Sequence, residues 1–305
     1  MTGGTGFIGQ NLIPYLTERG QKCDNLSRDQ LKDKINIGKC NTVVHIAGLA
    51  HDTKNSLDVI AYYKVNYELT KKIFDAFLIS ESDKFIFISS VKAAADKVEG
   101  ILTEDVLPNP ETIYGHSKLL AENYLQDQVL PEGKSLYILR PCMIHGPSNK
   151  GNLNLLFKVV KIGIPYFLAA FSNKRSLVSI ENFCFIINEL IARDGIPSGI
   201  YNIADDEPIS TIEMVSILAE ALNKKAQLWR LSPKGIKLLA KMGDILSLPF
   251  TTEKLNKLTE NYVVSNLKIR AAIKKPLPVT TRDGLRYTAS MFTGKSFDYD
   301  LKLSY

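Results

Sequence analysis

Within its first nine residues the chain reads Thr2-Gly3-Gly4-Thr5-Gly6-Phe7-Ile8-Gly9, and few folds accommodate such a start. Glycines at 3, 6 and 9 leave a turn without Cβ atoms, so a dinucleotide pyrophosphate can approach backbone amides at the N-terminus of a following helix. Gly3, Thr5, Gly6, Phe7, Ile8 and Gly9 are therefore candidate cofactor-binding residues. A second motif, Tyr114-Gly115-His116-Ser117-Lys118, puts a Tyr and a Lys four residues apart on one helical face. The spacing alone is not specific: Tyr67-Glu68-Leu69-Thr70-Lys71 also has it and reads as a chance match on a helix lining the sheet. Tyr114 differs in context, since a strand-like run ends at Ser89-Ser90, a loop follows, and a helix rich in Leu, Ala and Glu carries the pair.

Short β-branched or aromatic runs at 42–47, 84–89, 136–140 and 199–203 alternate with helical patterns at 9–19, about 61–80 and 114–130. That alternation predicts an α/β fold, a Rossmann-type doubly wound parallel sheet. Ser210-Thr211-Ile212-Glu213 fits a capping box and starts a further helix running to about Leu222. After Gly146-Pro147 the pattern becomes irregular, which predicts a smaller, mostly helical C-terminal substrate-binding region. The expected division is a dinucleotide-binding domain over 1–150 plus about 177–205, a substrate-binding region over 151–176 and 206–292, and a tail over 293–305. Two irregularities stand out. Only Met1 and Thr2 precede Gly3, where such a fold has a buried strand, so the stated start is expected to be internal to a longer strand. The stretch 29–41 is too short for a helix, a strand and a return turn, so the edge strand there is expected to be reduced or absent.

With 305 residues and 45% hydrophobic content, the chain can bury a large core, and its length suggests about two domains. No apolar run reaches the roughly 18 residues needed to span a bilayer. The glycine turn also occupies the place of a secretory signal, and the expected location is the cytoplasm. Cys23, Cys40, Cys142 and Cys184 lack CxxC spacing and the four histidines form no cluster, so no metal is expected. Formal charge is +6, yet residues 221–275 carry twelve Lys or Arg against three acids, a net of +9 that leaves −3 elsewhere. A solvated helical face is the first reading of that segment; attraction of an anionic nucleotide or an acidic membrane surface are the alternatives. No nucleic acid partner is expected.

Tyrosine ordinarily titrates near 10, so bringing Tyr114 toward 7 takes about 4 kcal/mol. A Lys118 ammonium about 4 Å away, at an effective dielectric near 20, supplies energy of that order, and a positive nicotinamide ring adds to it. Tyr114 could then exchange a proton with a substrate hydroxyl while hydride moves between a sugar carbon and the nicotinamide. Ser90, at the mouth of a parallel strand, is placed to bond the same oxygen. The candidate catalytic set is Ser90, Tyr114 and Lys118. Ser27-Arg28 falls where the second strand should end, a basic position that places NADP(H) ahead of NAD(H), with Asp24 and Asp29 near enough to reverse the order.

Together these residues resemble the extended short-chain dehydrogenases/reductases that act on nucleotide sugars. His45-Ile46-Ala47-Gly48 resembles the family's cofactor wall, Val65-Asn66 the segment after it, and Arg140-Pro141-Cys142-Met143-Ile144-His145-Gly146-Pro147 its RPxxxYGP motif, with His145 in place of Tyr. The resemblance adds Ala47, Gly48, Asn66 and Pro141 to the cofactor set, beside Tyr114 and Lys118. It also implies substrate contacts from Ser90, from Asn152 in Lys150-Gly151-Asn152 and from Arg175 in Asn173-Lys174-Arg175-Ser176-Leu177-Val178. The family's later Arg-x-Gly-Asp motif is not evident. Val91-Lys92 stands where the 4,6-dehydratases carry Asp-Glu and the decarboxylases carry Glu, which disfavours both. The resemblance therefore implies a UDP-sugar enzyme of surface-polysaccharide precursor synthesis. A UDP-4-keto-6-deoxy-N-acetylhexosamine 4-reductase comes first, a UDP-sugar 4-epimerase with retained NAD second, and a non-catalytic NADP-binding regulatory protein third. Retention of both Tyr114 and Lys118 weighs against the third, and a homodimer is left open.

Overall fold

The computed structural model describes residues 1–31, 35–50, 59–147, 149, 152–246 and 250–293. Helix α1 (Phe7–Thr17) springs from the glycine turn and leads toward β1 (Thr42–His45). Helix α2 (Val59–Tyr63) continues through a π-helical turn, Lys64–Glu68, into α3 (Leu69–Leu78), so the helix expected near 61–80 is present but interrupted. Strand β2 (Lys84–Ile88), a 3-10 turn at Val91–Ala93, the short β3 (Ile101–Leu102), helix α4 (Ile113–Gln126), β4 (Ser135–Pro141) and β5 (Met143–His145) follow. The remainder comprises α5 (Asn152–Lys161), β6 (Leu177–Ser179), α6 (Ile180–Ala192), β7 (Gly199–Ile203), α7 (Thr211–Ala221), α8 (Pro233–Ile245), α9 (Thr252–Thr259), β8 (Val263–Val264), α10 (Leu267–Ile273) and α11 (Thr281–Thr293).

The main sheet runs β1-β2-β4-β7, parallel throughout. Alternate side chains of β2 show why both faces must be covered: Phe85 and Phe87 pack with Ile73, Phe74 and Phe77, while Ile86 and Ile88 pack with Leu12, Leu16 and Phe183. A strand buried on both sides reads as a continuous apolar run, which is what residues 85–88 of β2 are. Beside β1, Thr2 bridges in parallel to both His45 and Leu26. Its amide donates to the Val44 carbonyl at 3.0 Å, and the Leu26 amide donates to Met1 at 2.8 Å, so Met1 and Thr2 lie between β1 and the extended segment ending at Leu26. The described residues of 29–41 contain no strand, in line with the shortness of that stretch.

Two further parallel pairs, β5 with β6 and β3 with β8, tie later segments to the main sheet. Each is only two or three residues long, too short for any alternation to show in the sequence. A separate apolar cluster joins α5, α7 and α11 through Phe157, Leu218 and Leu285. Helix α7 begins with the expected capping box, the Ser210 and Glu213 side chains each bonding the other's backbone amide. Thr293, assigned to the tail, closes α11; residues 294–305 lie outside the described residues.

Candidate active site

The glycine turn is built for close approach. Gly3 has φ of +75°, and a Cβ there would stand 2.8 Å from the Ala47 amide nitrogen; at Gly9 it would stand 2.4 Å from the Gly4 Cα. Only glycine fits, so the turn is pressed against the wall formed by Ala47 while its solvent side stays bare. Gly6 is the N-cap of α1 and supplies no side-chain cap, so the amides of the first turn remain open to an anion. This cradle fits a dinucleotide pyrophosphate.

Tyr114 and Lys118 project from the first turns of α4, whose N-cap Thr112 accepts the Gly115 amide at 3.2 Å. The Tyr114 side chain is close enough to Ser90 for that hydroxyl to act on its titration. Ser90 in turn caps the 3-10 turn by accepting the Lys92 amide at 3.2 Å. The Lys118 ammonium donates to the Ile88 carbonyl at 2.9 Å, at the end of β2. Three candidates from separate segments thus converge where β2 ends. In the protein alone burial pushes Tyr114 up to about 12, with Ser90 pulling the other way; the expected lowering by Lys118 counts on a bound, positive nicotinamide ring as well. Burial also lowers Lys118 to about 8, Glu122 partly opposing it.

A chain of buried hydrogen bonds joins the glycine turn to the α4 helix. The Thr70 hydroxyl donates to the Asn66 carbonyl at 2.8 Å, so it must accept from His45 Nε2 at 2.9 Å. His45 is therefore protonated at Nε2, and its Nδ1 accepts from the Thr2 hydroxyl at 2.7 Å. Burial and the nearby Lys118 keep that ring neutral, its value lowered to about 3. Asn66 then donates to Ser117 at 2.9 Å and to the Leu49 carbonyl at 3.0 Å, and Ser117 donates to the Tyr114 carbonyl. Behind Lys118, Glu122 accepts from Arg140 Nε at 3.0 and 3.1 Å and from the Ser89 hydroxyl, with both charged side chains buried.

Other candidates fall as follows. Ala47 stands against the turn, Gly48 faces Lys118 and Asn66, and Pro141 ends β4 opposite Ile203 of β7. Ser27 and Arg28 are exposed; Ser27 is engaged with Gln30, and it is Asn25 whose Oδ1 accepts the Gly4 amide at 3.0 Å. Arg175 donates through Nη2 to the Lys257 carbonyl, and its buried Nε has no hydrogen-bond partner among the described residues. Asn152 opens α5, but its side chain, like Lys150 and Gly151, lies outside the described residues. His145 is buried against α11, its Nδ1 2.9 Å from Thr288 Oγ1, and its Nε2 faces Asp205 at 3.8 Å. The second Tyr-Lys pair has another partner: Tyr67 meets the Tyr124 ring edge-on, and the Lys71 ammonium sits 4.9 Å above the same ring.

Sequence reasoning missed Thr70 and Glu122, and met His45 and Arg140 only as members of motifs. The signal for Arg140 and Glu122 was present: Arg140 is a charge inside an apolar strand run and requires a buried partner, and Glu122 stands one helical turn beyond Lys118.

The family model of the NAD dependent epimerase/dehydratase family matches residues 1–204. A UDP-glucose 4-epimerase of Vibrio cholerae is 31% identical, covering 96% of this chain and 94% of its own. An N-acetyl-α-D-glucosaminyl-diphospho-ditrans,octacis-undecaprenol 4-epimerase of Escherichia coli O157:H7 is 26% identical over 74% of this chain and 72% of its own. The crystal structure of a UDP-N-acetylglucosamine 4-epimerase from Bacillus cereus superposes with a TM-score of 0.76, at 20% identity, over 96% of this chain and 98% of that one, and so shares the fold. The helices of the described residues include none long and apolar enough to cross a membrane. This chain belongs to the NAD dependent epimerase/dehydratase family and is a nucleotide-sugar enzyme of the extended short-chain dehydrogenase/reductase type.

Proposed function

We propose that the protein is a UDP-sugar 4-epimerase that retains its nicotinamide cofactor through each turnover. The observation that carries this reading is the Ser90–Tyr114 hydroxyl pair beside the buried Lys118 ammonium, in a chain similar along nearly its whole length to a UDP-glucose 4-epimerase. The similarity supports epimerase over 4-reductase, the order opposite to that implied by the motifs alone. The glycine turn, Ala47 and Gly48 would hold the dinucleotide, whose nicotinamide supplies reversible hydride transfer. Tyr114 takes the proton from the sugar O4 and later returns it, Ser90 bonds that oxygen throughout, and Lys118 favours the tyrosinate in the low-dielectric pocket. Arg175, with its unpartnered Nε, would receive a diphosphate oxygen, and Asn152 would assist at the start of α5. Arg28 remains the candidate for a cofactor 2′-phosphate, and Arg28→Ala should weaken any preference for the phosphorylated form.

The test is product analysis of UDP-glucose and UDP-N-acetylglucosamine incubated with the protein and no added reductant. Expected is interconversion of C4 epimers with no net change in reduced-nicotinamide absorbance. Consumption of NADPH stoichiometric with reduction of a 4-keto sugar, and no interconversion, would transfer the assignment to the reductase.

A further inference from the structure

Helix α8 presents three parallel stripes, and among the described residues only one of them is packed within the fold. Ile236, Ala240 and Gly243 are buried, Ile236 and Ala240 packing with Leu168 and with Leu255 of α9. A Cβ at Gly243 would fall 1.8 Å from the Phe250 carbonyl oxygen, so the chain returns directly over this stripe. At about 100° per residue, Ile245, Leu238, Met242, Leu246 and Leu239 follow one another round an outer arc of about 120°. All five are exposed, Ile245 by 81% and Leu238 by 61%. Lys234, Lys237 and Lys241 fill the arc beside them and are exposed as well. Just before the helix come exposed Trp229, Arg230 and Leu231; the Trp229 amide bonds the Tyr166 carbonyl, next to exposed Phe167.

Large apolar side chains in one stripe, lysines along its border and an indole at its end are the composition of a helix that lies in a membrane interface. Charge points to the same partner, because residues 221–275 concentrate a net +9 on a chain that is net negative elsewhere. We propose that α8, with Trp229, docks the protein peripherally on a bilayer surface bearing anionic headgroups, its apolar stripe at the headgroup–acyl boundary and Lys234, Lys237 and Lys241 among the phosphates. This goes beyond the proposed epimerase activity, and its readout is binding alone.

Trp229 is the one tryptophan of the sequence, so intrinsic tryptophan emission reports on this surface without labelling. The full chain, mixed with vesicles of phosphatidylglycerol and phosphatidylethanolamine, should co-sediment and show a blue-shifted Trp229 emission. Vesicles of phosphatidylcholine alone should bind at least about ten-fold more weakly, and salt should reduce binding to the anionic ones. Replacing Lys234, Lys237 and Lys241 by Gln should weaken partitioning about five-fold each, on the order of 100-fold together. Leu238→Ser with Ile245→Ser should weaken it by about ten-fold or more with an unchanged melting temperature, since neither residue is buried. Emission unmoved by anionic vesicles, or moved equally by phosphatidylcholine, would overturn the proposal. So would an emission shift that tracks protein concentration without lipid together with a doubled mass, which would make the stripe an interface between two copies.

Discussion

The Lys118 ammonium lies 3.0 Å from the point where a Cβ on Gly48 would stand, and Asn66 Oδ1 lies 3.1 Å from the same point. Neither neighbour is free to give way: Lys118 is held by the Ile88 carbonyl and Asn66 by Leu49 and Ser117. Gly48→Ala should therefore fold but displace the lysine, lowering turnover at least about ten-fold and weakening nicotinamide binding. Losing a charge-assisted hydrogen bond costs about 1.5–3 kcal/mol. Steady-state kinetics with a cofactor titration checks this, and unchanged values would show slack in the wall.

Tyr114→Phe should abolish turnover while cofactor affinity stays within about two-fold, because only the transferable proton is removed. The pair also sets a signature in stability against pH. Lys118 is lowered from 10.5 to about 8, so across that window the unfolded chain binds a proton the folded one does not, and the contribution of Lys118 to stability rises with pH. Tyr114 is raised from 10.0 to about 12, and over that range its contribution falls as pH rises. Urea unfolding of cofactor-free protein should show a rise above pH 8 that Lys118→Met removes.

Glu122→Gln leaves the Arg140 guanidinium buried without its counter-charge, a change that costs about 3–5 kcal/mol in comparable sites. Glu122 also holds Lys118 toward its charged form. The alkaline limb of kcat/KM in Glu122→Gln should therefore move to lower pH. A loss of stability with an unmoved pH profile would leave Glu122 a purely structural partner of Arg140.

Arg175→Ala should raise the KM for UDP-sugars about ten-fold or more with a smaller effect on kcat, since the guanidinium carries a buried Nε without a partner among the described residues. An unchanged KM would confine Arg175 to its bond with the Lys257 carbonyl at the end of α9.

How much of this was legible in the sequence depended on whether a feature is local. The glycine turn, the capping box at Ser210 and the four main strands are set by neighbours in sequence, and their residues carried the pattern. The π turn at Lys64–Glu68 left no such trace, because it is a hydrogen-bond shift within an otherwise helical run. The pairings β3–β8 and β5–β6 join segments far apart in sequence and too short to have a period. At the site, Tyr114, Lys118 and Ser90 were recognisable by residue type and context. His45 was visible only as part of a motif, and its tautomer follows from the partners of Thr2 and Thr70, which no spacing in the chain displays. The exposed stripe of α8 shows the reverse case: the lysines of the segment read as a solvated face, while the apolar residues beside them are covered by no described element.

The π turn has a consequence for how the protein tolerates change in length. Asn66 sits inside it, fully buried, and donates to Ser117, in a turn that holds about one residue more than an α-helical one. Deleting a single residue from 63–65 would let the ladder close as ordinary α-helix and rotate everything before it by about 100° relative to Asn66. Helicity should hold or increase, while Tyr62 loses its edge-on approach to the Tyr114 ring, now 6.4 Å between centroids. The site thus depends on one surplus residue in a helix, a dependence on count rather than on any side chain, and a scan of point substitutions would pass over it.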